Sequence, residues 1–295
     1  MPASDAPYVL SIANQKGGVG KTTLTVGLGE SLSRLGYDVL VIDYDGQANL
    51  TGWVYGQKLE ADDVNILDVL ASDDWTLLNT ADEAEGFGFD FIGSTEELFD
   101  LEVKLSNDNY RVFALRRAVS ELKTKLAEGS QSASGRRYDF CLVDCPPALG
   151  LAVTQALNAS DGVLVPTILE KMAIEGLKML TDEIDQARMN GRADVELVGV
   201  VPTIVHVVRS QTQSIAGVLR ERFGEAFLEE EQVPVRTKIS EASAVSQSIR
   251  EYCERQDSSE YEYFDALAQR VVCKTIGIQD SNAEPVPTSR DGFVV

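Results

Sequence analysis

The sequence predicts a single α/β domain: a mostly parallel twisted sheet flanked by helices on both faces. Three observations carry that expectation. Short β-branched runs alternate with longer amphipathic ones along the chain, which is the rhythm of βα units. A glycine-rich segment separates the first such run from the first helical stretch, where a phosphate-binding turn would stand. At 295 residues and 44% hydrophobic content, the chain can bury a large core.

Apolar runs predict strands, in order, at Tyr8–Ala13, Asp38–Asp43, Gly88–Ile92, Asp139–Asp144, Gly162–Pro166 and Glu196–Pro202, with a further short strand near Val233–Ile239. Helical periodicity between them fits Thr22–Leu35, Thr95–Leu105, Arg111–Glu128, Leu151–Ala159, Ile174–Asn190, Ser210–Phe223, Ser240–Glu251 and Tyr261–Lys274. In the fifth of these, Leu177, Leu180, Ile184 and Ala187 form the stripe of a helix laid on a sheet. Two segments read as loose: Gly129–Gly135 (GSQSASG) before a strand, and the polar, proline-containing stretch from Gly277 to Val295. Elements continue to Lys274 without a linker, so one domain over 1–275 and a flexible tail over 276–295 are expected.

Composition narrows the function classes. No run of eighteen apolar residues is present, and Met1–Pro7 lacks a basic region followed by an apolar one, so the expectation is a cytoplasmic protein without a membrane span or signal peptide. Cys141, Cys145, Cys253 and Cys273 have no CxxC spacing and no histidine pair nearby, which argues for packed, reduced thiols over a metal site or disulfide framework. His206, the only histidine, has no second ligand. With 47 acidic against 26 basic residues the net charge is −21. That balance repels nucleic acid in dilute salt, and it suits a halophilic source, because the Debye length falls to about 3 Å at 1 M salt.

The most informative stretch is Gln15-Lys16-Gly17-Gly18-Val19-Gly20-Lys21-Thr22-Thr23, which follows a predicted strand and opens a predicted helix. Glycines let successive backbone N–H groups turn inward around a phosphate, and the helix adds its positive end. Lys21 is placed to reach the β- and γ-phosphates, and the Thr22 hydroxyl to bind Mg2+, which makes the fold class a P-loop NTPase. A strict G-x-x-x-x-G-K-[ST] match fails, because Gln15 stands at the first glycine position.

Phosphoryl transfer also needs metal coordination and a positioned water, which carboxylates at strand ends can supply. The second predicted strand ends in Asp43-Tyr44-Asp45-Gly46-Gln47-Ala48-Asn49, where Asp43 either joins the metal site or makes the turn. The fourth ends in Val143-Asp144-Cys145-Pro146-Pro147, an apolar run feeding an acid at the sheet edge, so Asp144 is a candidate for binding Mg2+ through water.

These strings, K-G-G-x-G-K-T-T with its second lysine, D-x-D-G-Q-x-N and D-x-P-P-x-L, resemble the ParA/MinD family of deviant Walker A ATPases over about residues 8–274. The similarity is closest to small partition ATPases of the ParA/Soj type. It implies ATP and Mg2+ as cofactors, a nucleotide-sandwich homodimer in which Lys16 crosses to the partner's ATP, and Asp45 as the residue that positions the attacking water. Lys16, Lys21 and Asp45 are therefore the candidate catalytic residues. Gly46 departs from the family's usual proline and leaves a more flexible turn.

No [NT]-K-x-D string reads guanine, and the resemblance places adenine near Pro202, Thr203, Pro234, Val235 and Arg236. It further implies nonspecific DNA binding, with Arg209 and Lys238 at the matching positions, and stimulation by a ParB-like partner. Arg220, Arg222 and Arg250 are further basic residues that would extend such a patch. The expected function is thus an ATP-dependent switch in plasmid or chromosome partition, associated with the nucleoid. The winged-helix extension of larger partition ATPases is not expected, since few residues precede the first strand. The alternative is a MinD-like or protein-cargo-positioning ATPase. A membrane-recruiting form would need a basic amphipathic C-terminal helix, whereas the last residues carry Pro285, Pro287 and Arg290.

Overall fold

The computed structural model describes residues 6–277, apart from 61, 72–75, 106–107, 109, 149, 172, 190–193, 206–209 and 235. The chain runs β1 (Tyr8–Ile12), α1 (Lys21–Arg34), β2 (Val39–Asp43), α2 (Asn49–Tyr55), α3 (Ile66–Ala71), α4 (Leu77–Thr80), β3 (Asp82–Glu83) and β4 (Asp90–Ile92). It continues through α5 (Leu101–Lys104), α6 (Ala114–Ala127), β5 (Phe140–Asp144), α7 (Leu151–Ala159), β6 (Gly162–Thr167), α8 (Ala173–Met189) and β7 (Glu196–Val205). It closes with α9 (Ser210–Phe223), β8 (Val233–Pro234), α10 (Thr237–Ala244), α11 (Ile249–Arg255) and α12 (Glu262–Thr275).

The strands form one sheet in the order β3-β4-β2-β5-β1-β6-β7-β8, parallel throughout except for the β3–β4 edge. Central strands of a parallel sheet are covered on both faces, which is why β2 and β5 are buried at every residue. Alternation then divides the core into two layers. Val9, Leu40, Ile42, Val143 and Val163 face α6, α7 and α8, where they meet Leu115, Leu122, Ala156, Leu177, Leu180 and Ile184. Leu10, Ile12, Val39, Val41 and Leu142 face α1 and α12, where they meet Leu24, Leu28, Leu267 and Val271. The apolar stripe expected on α8 is the buried face of that helix, Ala187 included. No helix among the described residues is long and apolar enough to cross a membrane.

Several elements differ from expectation, each for a local reason. The strand expected over Val233–Ile239 stops at Pro234, which has no N–H to extend the ladder, and α10 begins at Thr237. The helix expected over Ser240–Glu251 is two, because Ser246 adopts a positive φ of 52° and the Ser248 side chain accepts the Glu251 amide as the cap of α11. Thr95–Leu105 is a 3-10 turn at Glu96–Asp100 followed by the single turn of α5. The short elements α2, α3, α4 and β3 were not expected at all, whereas β7 runs on to Val205.

The serine-rich segment before β5 is not loose. Buried Asp90 accepts hydrogen bonds from Ser132 (2.9 Å), Ser134 (2.6 Å) and Tyr138 (2.7 Å) and pairs with Arg136, so one carboxylate pins the loop. Of the tail, Ile276 and Gly277 are described, and 278–295 lies outside the described residues. Three cysteines are buried and Cys273 is exposed. Burial pushes the Cys141 and Cys145 thiols up to about 12, which makes them inert packing groups.

The helix that follows the glycine loop is locked in place from the side away from the sheet. Gly27 meets the ring of buried Phe264 so closely that a Cβ there would overlap it, which fixes α1 against α12. One turn on, the buried Glu30 carboxylate accepts the amides of Ile249 (2.9 Å) and Arg250 (3.1 Å), the orphan donors at the start of α11. Burial nonetheless pushes the Glu30 carboxyl up from 4.5 to about 7, opposed by those two bonds. A raised acid binds more protons folded than unfolded across that interval, so stability falls as pH rises through it. Relative to Glu30→Gln, the wild type should lose about 3 kcal/mol between pH 4.5 and 7 and little beyond, measurable by urea titrations at several pH values.

Candidate nucleotide-binding site

Parallel pairing brings the chemistry to one sheet edge. Asp43 and Asp144 are register partners at the ends of β2 and β5, and Ile12 pairs with Asp144 just before the chain leaves β1 for the glycine loop. The crevice at the carboxyl ends of such strands is where open α/β sheets bind ligands.

Gly18 and Gly20 hold φ of 70° and 82°, a left-handed conformation that side chains with a Cβ rarely adopt, and Gly20 is the N-cap of α1. The loop is stapled on both flanks. Asn14 donates to the Pro166 carbonyl at the end of β6 (2.7 Å) and accepts the Lys16 amide (2.9 Å). Thr203 on β7 donates its hydroxyl to the Val19 carbonyl (2.6 Å). Gln15 reaches the Met179 sulfur on α8 (3.3 Å), and Pro147 stands against Gly17.

Under the loop, Thr22 donates to one oxygen of Asp144 (2.7 Å) and Thr25 to the other (3.2 Å). Lys21 is 7% exposed, as is Asp45, and Asp43 and Asp144 are sealed from solvent. Burial lowers the Lys21 ammonium pKa, with Asp144, Cys145 and Asp45 opposing. Burial likewise raises all three acids. Asp144 is pushed to about 8, with Asp43 adding and Thr22 and Lys21 opposing, and Asp43 is pushed to about 6. Asp45 is raised too, with the Gln47 amide and Lys21 opposing. Asp45 and Asp144 act on the buried Lys21 ammonium, and with so little positive charge nearby burial holds all three acids toward their protonated forms. That deficit of positive charge, beside a hydroxyl and an inward glycine cradle, fits a Mg2+-bound nucleotide. No group of three or more His, Cys, Asp or Glu that could hold a metal ion occurs among the described residues.

The sequence candidates divide in three. Gln15 to Thr23, Asp45, Asp144 and Thr203 converge on the loop. Asp43 is turned into the switch instead: one oxygen accepts the Asp45 amide (3.1 Å), the other the Thr51 amide (2.9 Å) and hydroxyl (2.7 Å). That occupation gives Asp43 an anchoring part, and both oxygens of Asp144 are occupied in the same way by Thr22 and Thr25. Pro202 pairs with Thr167, and Pro234 with Val205, on the strands beside the loop.

The described basic candidates all have partners, and three of them are in ion pairs. Arg236 lies over the Tyr263 ring and donates to its hydroxyl (2.6 Å), and Lys238 pairs with Glu241 (3.0 Å). Arg220 pairs with Glu229 (2.7 Å), and Arg250 with Asp265 (2.6 Å) against the Tyr261 ring. Arg222 lies over the Phe223 ring. Arg209, Val235 and His206 lie outside the described residues.

Four residues at the site were not read from the sequence: Asn14, Thr25, Thr51 and Glu170. Thr25 had a signal, being one helical turn after Lys21 and hydrogen-bonded to its carbonyl (3.1 Å). Glu170, 154 positions from Lys16, holds its ammonium at 2.6 Å and had none.

Comparison with known proteins agrees with this geometry. The AAA domain family model matches residues 8–197. The chromosome partitioning protein ParA of Caulobacter vibrioides is 33% identical over 245 residues, 83% of this chain and 86% of that protein. The sporulation initiation inhibitor protein Soj of Bacillus subtilis is 30% identical over 263 residues, 89% of this chain and 97% of that one. Among solved structures, cobyrinic acid a,c-diamide synthase of Mycobacterium smegmatis with bound ADP and magnesium has TM-score 0.69 at 26% identity, covering 89% of this chain and 94% of that one. An McdA–ATP complex of Cyanothece shares the fold at TM-score 0.75 and 18% identity, covering 91% and 97%.

The anchoring of Asp43 separates from metal binding in nucleotide-free protein. Asp43→Ala should destabilise it by about 1–3 kcal/mol in urea titrations without Mg2+, because the Thr51 and Asp45 donors lose their acceptor. A carboxylate kept only for a metal would leave that stability unchanged or raise it, since a buried charge would be gone.

Proposed function

Because the chain belongs to the ParA/MinD family of P-loop ATPases, we propose that it is an ATP-dependent dimerisation switch that binds DNA without reading bases and serves plasmid or chromosome partition. The observation that carries this reading is the position of Lys16. Its ammonium is not in the glycine cradle but on Glu170, with the two side chains 33% and 57% exposed. Surface pairs of that kind are worth only about 0–1 kcal/mol, so a second copy's triphosphate would displace Glu170 readily.

In this reading the N–H groups of Gly17 to Thr22 and the Lys21 ammonium hold the phosphates, and Thr22 and Asp144 hold Mg2+, the latter through water. Bound magnesium would neutralise charge on the phosphate oxygens. Asp45, fixed by the Gln47 amide at 3.0 Å, orients the water. Thr203, Pro202, Pro234, Val235 and Arg236 would flank adenine. The ADP and magnesium bound by the Mycobacterium smegmatis synthase support these ligands. A ParB-like partner would stimulate hydrolysis, and DNA binding would place the protein on the nucleoid.

One observation favours a second reading, a MinD-like or protein-cargo-positioning ATPase that segregates no DNA. Lys238, offered for DNA, is paired with Glu241, and the chain carries a charge of −21. Comparing DNA association with ATP and with ADP at several KCl concentrations decides between them. The partition reading expects ATP-dependent binding whose affinity falls as salt rises; no DNA binding at any salt, with ATP-dependent dimerisation intact, selects the cargo reading. In the same assays, Lys16→Ala should stay folded and monomeric by light scattering, and Asp45→Ala should bind ATP, hydrolyse it poorly and accumulate as a dimer. Full dimerisation of the first or full turnover of the second overturns the role given to that residue.

A further inference from the structure

The switch turn is built around an absence. The Ala48 amide donates to the Asp45 carbonyl (2.9 Å), closing a β-turn with Gly46 and Gln47 at its centre. Gly46 occupies the position where proline is favoured, and its φ lies outside the left-handed region, so the backbone does not require glycine. Glycine costs such a turn conformational entropy relative to alanine. The reason for it is steric: a Cβ on Gly46 would stand 3.0 Å from the ring of Phe99.

Phe99 itself is 62% exposed, with its ring against the Cα of Gly46. Its backbone is held from two directions. Leu98 beside it is buried in the core layer that also contains Tyr44, and Glu96 pairs with Lys58 in the segment after α2. The 3-10 turn therefore leans on the switch and lays the ring over Gly46. Asp45, next in the chain, has no covalent stiffener, and its carboxylate is fixed within the turn by the Gln47 amide.

We propose that Phe99 is a positioning residue for ATP hydrolysis: its ring clamps the glycine of the switch turn and thereby holds the Asp45 carboxylate in place. This rests on the ATPase reading above. The ring acts through Gly46.

The test is steady-state ATP hydrolysis by Phe99→Ala, Phe99→Tyr, Asp45→Ala and the Phe99→Ala/Asp45→Ala double variant, with circular dichroism to verify folding. Phe99→Ala should lower kcat about tenfold with KM for ATP unchanged, and Phe99→Tyr should restore it. In the double variant the loss should equal that of Asp45→Ala alone, because both act through one carboxylate. Wild-type kcat in Phe99→Ala, a loss carried by KM, or additive losses in the double variant would overturn the proposal. Hydrogen exchange of the Gln47 and Ala48 amides separates this from the premise. Faster exchange in Phe99→Ala is expected, and unchanged exchange overturns the clamp whatever the turnover. A wild type that hydrolyses no ATP would instead sink the ATPase reading.

Discussion

The architecture depends on keeping more negative than positive charge out of water at one sheet edge. Asp43, Asp45 and Asp144 are buried with Lys21 as the one ammonium among them, and Asp144 is pushed to about 8. Burying an ionised carboxylate costs several kcal/mol unless it is paired or hydrogen-bonded. The protein offsets part of that cost with donors, Thr22 and Thr25 on Asp144 and Thr51 on Asp43. What remains favours a divalent cation and a polyphosphate arriving together.

The surroundings of that edge are tied firmly at the glycine loop and its helix. Asn14 and Thr203 tie the glycine loop to β6 and β7, and Gly27 and Glu30 fix its helix against α12 and α11. The elements that would respond to nucleotide are held more lightly. Lys16 is retained by one half-exposed carboxylate, and the Asp45 turn by short-range hydrogen bonds to Asp43, Gln47 and Ala48 and by an exposed ring. A switch needs such an inequality, because a ligand shifts an equilibrium only by its differential affinity for the two states.

The charge distribution bears on the partner. Ion pairs consume Lys238, Arg220 and Arg250, three of the basic residues offered for a nucleic-acid surface. Electrostatic binding to a phosphate backbone would have to reopen those pairs, which is easier in high salt, where pairs are screened, although salt weakens the DNA contact as well.

Within the sequence alone lay the sheet, its helical cover and the identity of the phosphate loop, because each is a local pattern: period-two and period-3.6 hydrophobicity, and glycines between a strand and a helix. Asp144 was legible for the same reason, as an acid closing an apolar run, and Asp45 through the resemblance of its turn to the ParA/MinD motif. The short helices, the breaks at Pro234 and Ser248 and the pinned serine loop were not, since each is decided by a few capping or cross-chain bonds too small to leave a periodic signal. The anchoring of Asp43 by Thr51, the hold of Glu170 on Lys16 and the ring of Phe99 over Gly46 belong to tertiary structure alone. They join residues far apart in the chain or across a turn, and no spacing rule connects a glycine to an aromatic more than fifty positions away.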